Sequence, residues 1–99
     1  MLKEITPEEL INKSPSSIQL IDIREPYELK DGHIIGNINI PMGDILEKTE
    51  LLSKTKNIII YCNTGNRSKP VVYMLKKLCN ISTYNLKGGY KNFLKISLK

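Results

Sequence analysis

Apolar residues recur along this chain with two periods. Asn57 to Tyr61 holds an unbroken run, Ile58-Ile59-Ile60, too short for a helix and rich in β-branched residues. It predicts a strand buried on both faces, as in a parallel sheet. Ile18 to Ile23 alternates weakly and predicts a second strand ending near Asp22. Lys3 to Ile5, Asn37 to Ile40 (stopped by Pro41) and Ile81 to Leu86 predict three more. Helical signals fall between them. Thr6-Pro7-Glu8-Glu9 reads as a capping box with proline at the first helical position, opening a short helix to about Asn12 with Leu10 and Ile11 inward. Pro26 starts a second segment, which Asp31-Gly32 ends, and Asp44 to Leu52 reads as an amphipathic helix. Ser68 to Cys79 carries Val71, Met74, Leu75 and Leu78 at helical spacing, a core stripe. Pro70 is tolerable there because it lies in the first turn, and Lys76, Lys77 and Asn80 suit the other end. Gly88-Gly89 is a tight turn before a short last helix, Tyr90 to Leu94. Strands alternating with helices throughout predict a parallel α/β sheet.

Composition narrows the picture. The 99 residues make one domain, 1–99, with a single modest core. The longest apolar run, Ile58 to Cys62, is far short of a membrane span. The N-terminus carries acid early and lacks an apolar leader, which predicts a cytoplasmic protein. Two cysteines in that setting argue against a structural disulfide, and one histidine with two separated cysteines lacks metal-ligand spacing. The net charge of +5 suits an anionic substrate or an acidic partner, but the lysines are scattered and show no nucleic-acid pattern. The only two arginines, Arg24 and Arg67, both fall beside candidate motif residues. Planar, multi-donor geometry is what lysine cannot supply.

Candidate chemistry concentrates at Cys62-Asn63-Thr64-Gly65-Asn66-Arg67-Ser68. A buried strand delivers Cys62 to its carboxyl end, and a short polar loop turns into a helix. Loop amides and a helix N-terminus then converge on the thiol, and they favour negative charge. With Arg67 they act toward a lowered thiol pKa. A lone cysteine is usually a small buried hydrophobe; the strand-end position before a polar loop argues otherwise for Cys62. Cys79, flanked by apolar residues at a helix end, reads as structural.

Four motifs then resemble the single-domain rhodanese family of sulfurtransferases, in order and over nearly the whole chain. They are Asp22-Ile23-Arg24-Glu25 with Pro26-Tyr27-Glu28; Gly32-His33-Ile34 with Gly36-Asn37-Ile38-Asn39-Ile40-Pro41; Ile59-Ile60-Tyr61-Cys62 with Gly65 and Arg67-Ser68; and Tyr84-Asn85-Leu86-Lys87-Gly88-Gly89. The resemblance implies an α/β fold with a five-stranded, mainly parallel sheet flanked by helices, and a cysteine that carries sulfur as a persulfide. Phe93 stands where the family often has tryptophan, and Lys69 and Pro70 where it usually has small residues. On this reading Cys62 takes sulfur from a small anionic donor such as thiosulfate. It hands the sulfur to cyanide, a thiol or an acceptor protein, by ping-pong covalent catalysis without a further cofactor. Amides from Asn63 to Ser68 cradle the thiolate and the persulfide. Arg67 either binds the donor or braces the loop, and Thr64 either donates to the donor or caps a loop amide. Asp22 is expected to orient the loop, and Arg24 to form a structural ion pair with Glu25. His33 is expected to fix a turn.

Two other readings compete. Cysteine-based phosphatases and arsenate reductases also set a cysteine and an arginine around an amide-lined loop, but with five residues between them; here Asn63 to Asn66 are four, a smaller loop suited to one sulfur. A non-catalytic binding or regulatory module of the same shape is the other reading, since fold alone does not establish activity.

Overall fold

The computed structural model describes residues 2–97. Strands β1 (Glu4–Ile5), β2 (Ile18–Asp22), β3 (Ile38–Asn39), β4 (Asn57–Tyr61) and β5 (Tyr84–Leu86) form a five-stranded sheet in the order β1-β5-β4-β2-β3. Every pairing is parallel. Helices α1 (Pro7–Ile11), α2 (Ser68–Cys79) and α3 (Gly89–Ser97) cover its faces. No helix among the described residues is long and apolar enough to cross a membrane.

The sheet divides the core into two layers, and the period of two along β4 decides which residue goes where. Ile58, Ile60 and Cys62 join Ile21, Ile23, Val71, Val72 and Leu75 on the α2 side. Ile59 and Tyr61 join Ile5, Leu10, Leu86 and Tyr90 on the α1 and α3 side. Cys62 is therefore on the α2 face because it is one pleat beyond Ile60.

Thr6 caps α1 as its sequence requires: its hydroxyl accepts from the Glu9 amide at 3.1 Å, and its own amide donates to the Glu9 carboxylate at 2.9 Å. Other elements differ from expectation. Asp44 to Leu52 is not one helix but two 3-10 turns, Met42–Glu47 and Thr49–Leu51, broken at Lys48, whose φ of −122° is not helical. Pro26–Asp31 is likewise 3-10. Of Ile81 to Leu86, only Tyr84–Leu86 joins the sheet, and β3 is reduced to Ile38–Asn39. The last helix starts at Gly89 and runs three residues beyond Leu94, to Ser97. On α2 the inward face is Ser68, Val71, Val72 and Leu75, with Met74 and Cys79 half-buried against the same core. Leu78 lies off this face, at 65% exposure, because the half-buried Cys79 occupies the inward position of the last turn.

Candidate active site around Cys62

Cys62 follows β4 directly and is 1% exposed. The chain then reverses through Gly65, whose φ is +95°, and enters α2 at Ser68. This turn brings the Gly65 amide to 3.1 Å from the Cys62 sulfur and the Ser68 hydroxyl to 3.4 Å. Burial pushes the thiol up, but the Ser68 hydroxyl and the amides of Ser68, Arg67 and Gly65 together outweigh it and hold the thiol below its ordinary value. The cradle is thus made by three amides of the expected series. Thr64 and Asn66 are exposed, and Asn63 is half-buried.

The Cys62 and Asn63 carbonyls face the other way, and the Gly88-Gly89 turn explains why. The Tyr90 amide donates to the Cys62 carbonyl at 2.9 Å, and the Lys91 amide to the Asn63 carbonyl at 3.0 Å. The first turn of α3 thereby holds these carbonyls outward while the amides turn to sulfur. Gly89 makes this possible. A Cβ there would lie 2.6 Å from both carbonyl oxygens, and its φ of +65° already favours glycine.

Arg67 turns its hydrogen bonds to Glu28. Its guanidinium donates through both terminal nitrogens to the Glu28 carboxylate, each at 2.8 Å. Glu28 also accepts from the Glu25 amide at 2.8 Å, so this fork ties the loop to the 3-10 turn after β2. The Arg67 guanidinium holds the Glu28 carboxyl down at about 2, and Glu28 raises Arg67 in turn.

Asp22 and Arg24 require a correction. Arg24 pairs with Asp22, at 2.8 Å, and not with the exposed Glu25. The Asp22 carboxylate accepts from the Arg24 amide and guanidinium and faces the Asn37 amide, instead of orienting the loop. Arg24 also donates to the Gly32 carbonyl at 2.8 Å and stacks on Tyr90, 4.9 Å from its ring centroid. Buried charge demands such pairing, so strand end, glycine turn and α3 are joined by one guanidinium. His33 is exposed, with its ring near the Ile34 carbonyl at 3.3 Å, in the turn.

One residue of the fourth motif has a role that the motif alone does not assign. Asn85 is wholly buried in β5; its side-chain carbonyl accepts from the Ser68 hydroxyl, and its amide donates to Glu4 at 2.9 Å. A polar residue in the middle of a buried parallel strand was the available signal.

The comparisons agree with this architecture. A family model described as the rhodanese-like domain matches residues 6–96. The chain is 38% identical over 90 residues to the putative sulfurtransferase YtwF of Bacillus subtilis, spanning 89% of this chain and 86% of that protein. It is 31% identical over 74 residues to the thiosulfate sulfurtransferase PspE of Escherichia coli, spanning 73% and 70% of the two. The crystal structure of a rhodanese-related protein from Thermoplasma volcanium superposes with a TM-score of 0.85 at 30% identity, covering 95% of this chain and 92% of that one. With a sheet of this order, a strand-end cysteine in an amide loop and a family match along almost its whole length, the chain belongs to the rhodanese-like domain family.

Proposed function

We propose that the protein is a sulfurtransferase that carries sulfane sulfur as a persulfide on Cys62. The observation that carries this reading is the sulfur of Cys62 within hydrogen-bonding reach of the Gly65 amide and the Ser68 hydroxyl, in a site that favours the thiolate. No separate base is then required. The thiolate attacks the sulfane sulfur of a small anionic donor of the thiosulfate class. The new S–S bond forms as the donor's S–S bond breaks, and its electron pair leaves with sulfite. A nucleophile such as cyanide or a thiol next attacks the terminal sulfur, and the electron pair of that bond returns to Cys62. The cradle of amides stabilises negative charge before and after loading. The relatives named sulfurtransferases support this reading, and PspE supports a thiosulfate-class donor.

Phosphate chemistry is disfavoured by Arg67. Its fork is closed on Glu28, whereas phosphate capture needs an arginine turned to the cradle. The test is an intact mass after incubation with thiosulfate. Wild type gains one sulfur atom, which cyanide removes; Cys62→Ser folds normally and gains none. A wild type that gains nothing from thiosulfate or from other persulfide donors, with its thiol reduced and accessible, overturns the proposal.

A further inference from the structure

The Cys62 cradle continues into a hydrogen-bond chain that ends at the surface. Glu4 and Asn85 are register partners across β1 and β5, and Asn85 is likewise the partner of Ile60 in β4. This row lies on the α2 side, where Cys62 and Ser68 meet. Ser68, Asn85 and Cys62 are buried, and Glu4 is exposed. From the inside outward, the sulfur faces the Ser68 hydroxyl, that hydroxyl faces the Asn85 side-chain carbonyl, and the Asn85 amide donates to the Glu4 carboxylate at 2.9 Å.

The direction of this chain follows from its outer end. A carboxylate only accepts, so Asn85 must turn its NH2 toward Glu4 and its carbonyl toward Ser68. The Ser68 hydroxyl has one proton. It is drawn outward to Asn85, with the Gly65 carbonyl at 3.1 Å as a second acceptor. The proton is then only partly available to the Cys62 sulfur at 3.4 Å. A thiolate at Cys62 needs the opposite: it wants the Ser68 proton, which leaves two oxygens, of Ser68 and Asn85, facing each other unpaired. Other groups near the thiol do not impose this direction. Arg67 attracts the thiolate through space but is paired with Glu28, Tyr61 faces the other side of the sheet, and Tyr90 donates its amide to the Cys62 carbonyl.

We propose that Glu4, acting through Asn85, draws the Ser68 proton away from Cys62 and so restrains ionisation of the thiol. Glu4 and Asn85 are positioning residues: they set the polarity of the hydroxyl that touches sulfur. The inference rests on Cys62 being the reactive thiol of the proposed function.

Glu4→Gln keeps the size of the side chain but offers an NH2 to the Asn85 carbonyl. Asn85 can then reverse and donate to Ser68, freeing the hydroxyl proton for the thiolate. Glu4→Ala, which removes the carboxylate altogether, acts in the same direction. The experiment is the pH dependence of iodoacetamide alkylation in the full chain, read at Cys62 by peptide mass spectrometry so that Cys79 does not interfere. The midpoint should fall by roughly half a pH unit in Glu4→Gln, equivalent to about a threefold change in thiol ionisation constant, and rise in Ser68→Ala. In Ser68→Ala, adding Glu4→Gln should move it no further, because the link is gone. An unchanged or raised midpoint in both Glu4 variants overturns the proposal. An equal shift with and without Ser68 also overturns it, since Glu4 would then act as a plain charge. Alkylation needs no sulfur donor, so these outcomes are read even if sulfur loading fails.

Discussion

Gly89→Ala tests the idea that α3 shapes the Cys62 cradle by gripping its carbonyls. An alanine Cβ would sit 2.6 Å from the carbonyl oxygens of Cys62 and Asn63, and both are backbone atoms that cannot rotate aside. Alanine at φ +65° adds left-handed strain of about 1–2 kcal/mol. Relief of the clash must lengthen the Tyr90 and Lys91 bonds to those carbonyls, now 2.9 and 3.0 Å, worth about 1 kcal/mol each. The sum is about 3–4 kcal/mol, a large part of the roughly 5–15 kcal/mol expected of a small domain. Urea unfolding followed by circular dichroism reads it as a lower midpoint. Gly36→Ala supplies the reference, because Gly36 has φ +89° with nothing within 4 Å of its Cβ position, so it carries the strain alone. The folded Gly89→Ala protein should also show slower Cys62 alkylation near neutral pH, as the amides turn away from sulfur. If Gly89→Ala costs no more than Gly36→Ala and alkylates normally, α3 does not shape the cradle and the reasoning fails.

Other consequences follow from the charged and buried groups. Glu28 has a depressed folded pKa, about 2, so its pair with Arg67 stabilises above the unfolded carboxyl pKa and that stability is lost as pH falls toward about 2. Because the Arg67 side chain is 38% exposed, screening limits the pair to about 1 kcal/mol or less; the stability gap between wild type and Glu28→Gln, measured by urea unfolding, should be present at neutral pH and close across that acid window. The same variant frees the Arg67 charge at the mouth of the loop, so a loading assay should show a lower half-saturating thiosulfate concentration, with Arg67→Ala shifting it the other way. Tyr61→Phe removes the oxygen that accepts from the Ile34 amide at 3.1 Å and the Asn37 side chain at 3.0 Å. It should lower stability by about 1–3 kcal/mol in the same urea measurement.

Sequence alone determined what depends on local periodicity and covalent order. The run from Ile58 to Tyr61 could only be a buried strand, its pleat placed Cys62 beyond it, and the capping box at Thr6 and Glu9 stated its own hydrogen bonds. The four motifs in order also carried the family, hence the parallel sheet. Where local signals were weak, they misled: Asp44 to Leu52 is amphipathic, but the chain breaks at Lys48 into short 3-10 turns. Tertiary structure decided the pairings. Arg67 meets Glu28 across 39 residues of chain, and Asn85 meets Glu4 across 81, because the strand order sets β4 beside β2 and β5 beside β1. Arg24 passes over its chain neighbour Glu25 for Asp22, since a buried guanidinium needs a partner that is buried with it. Such contacts depend on which strand ends and helix starts share a face, and no window along the chain contains that information. The residues around the Cys62 thiol were therefore readable in order, whereas those that tie the loop down and meet the Ser68 hydroxyl emerged only when the sheet was assembled.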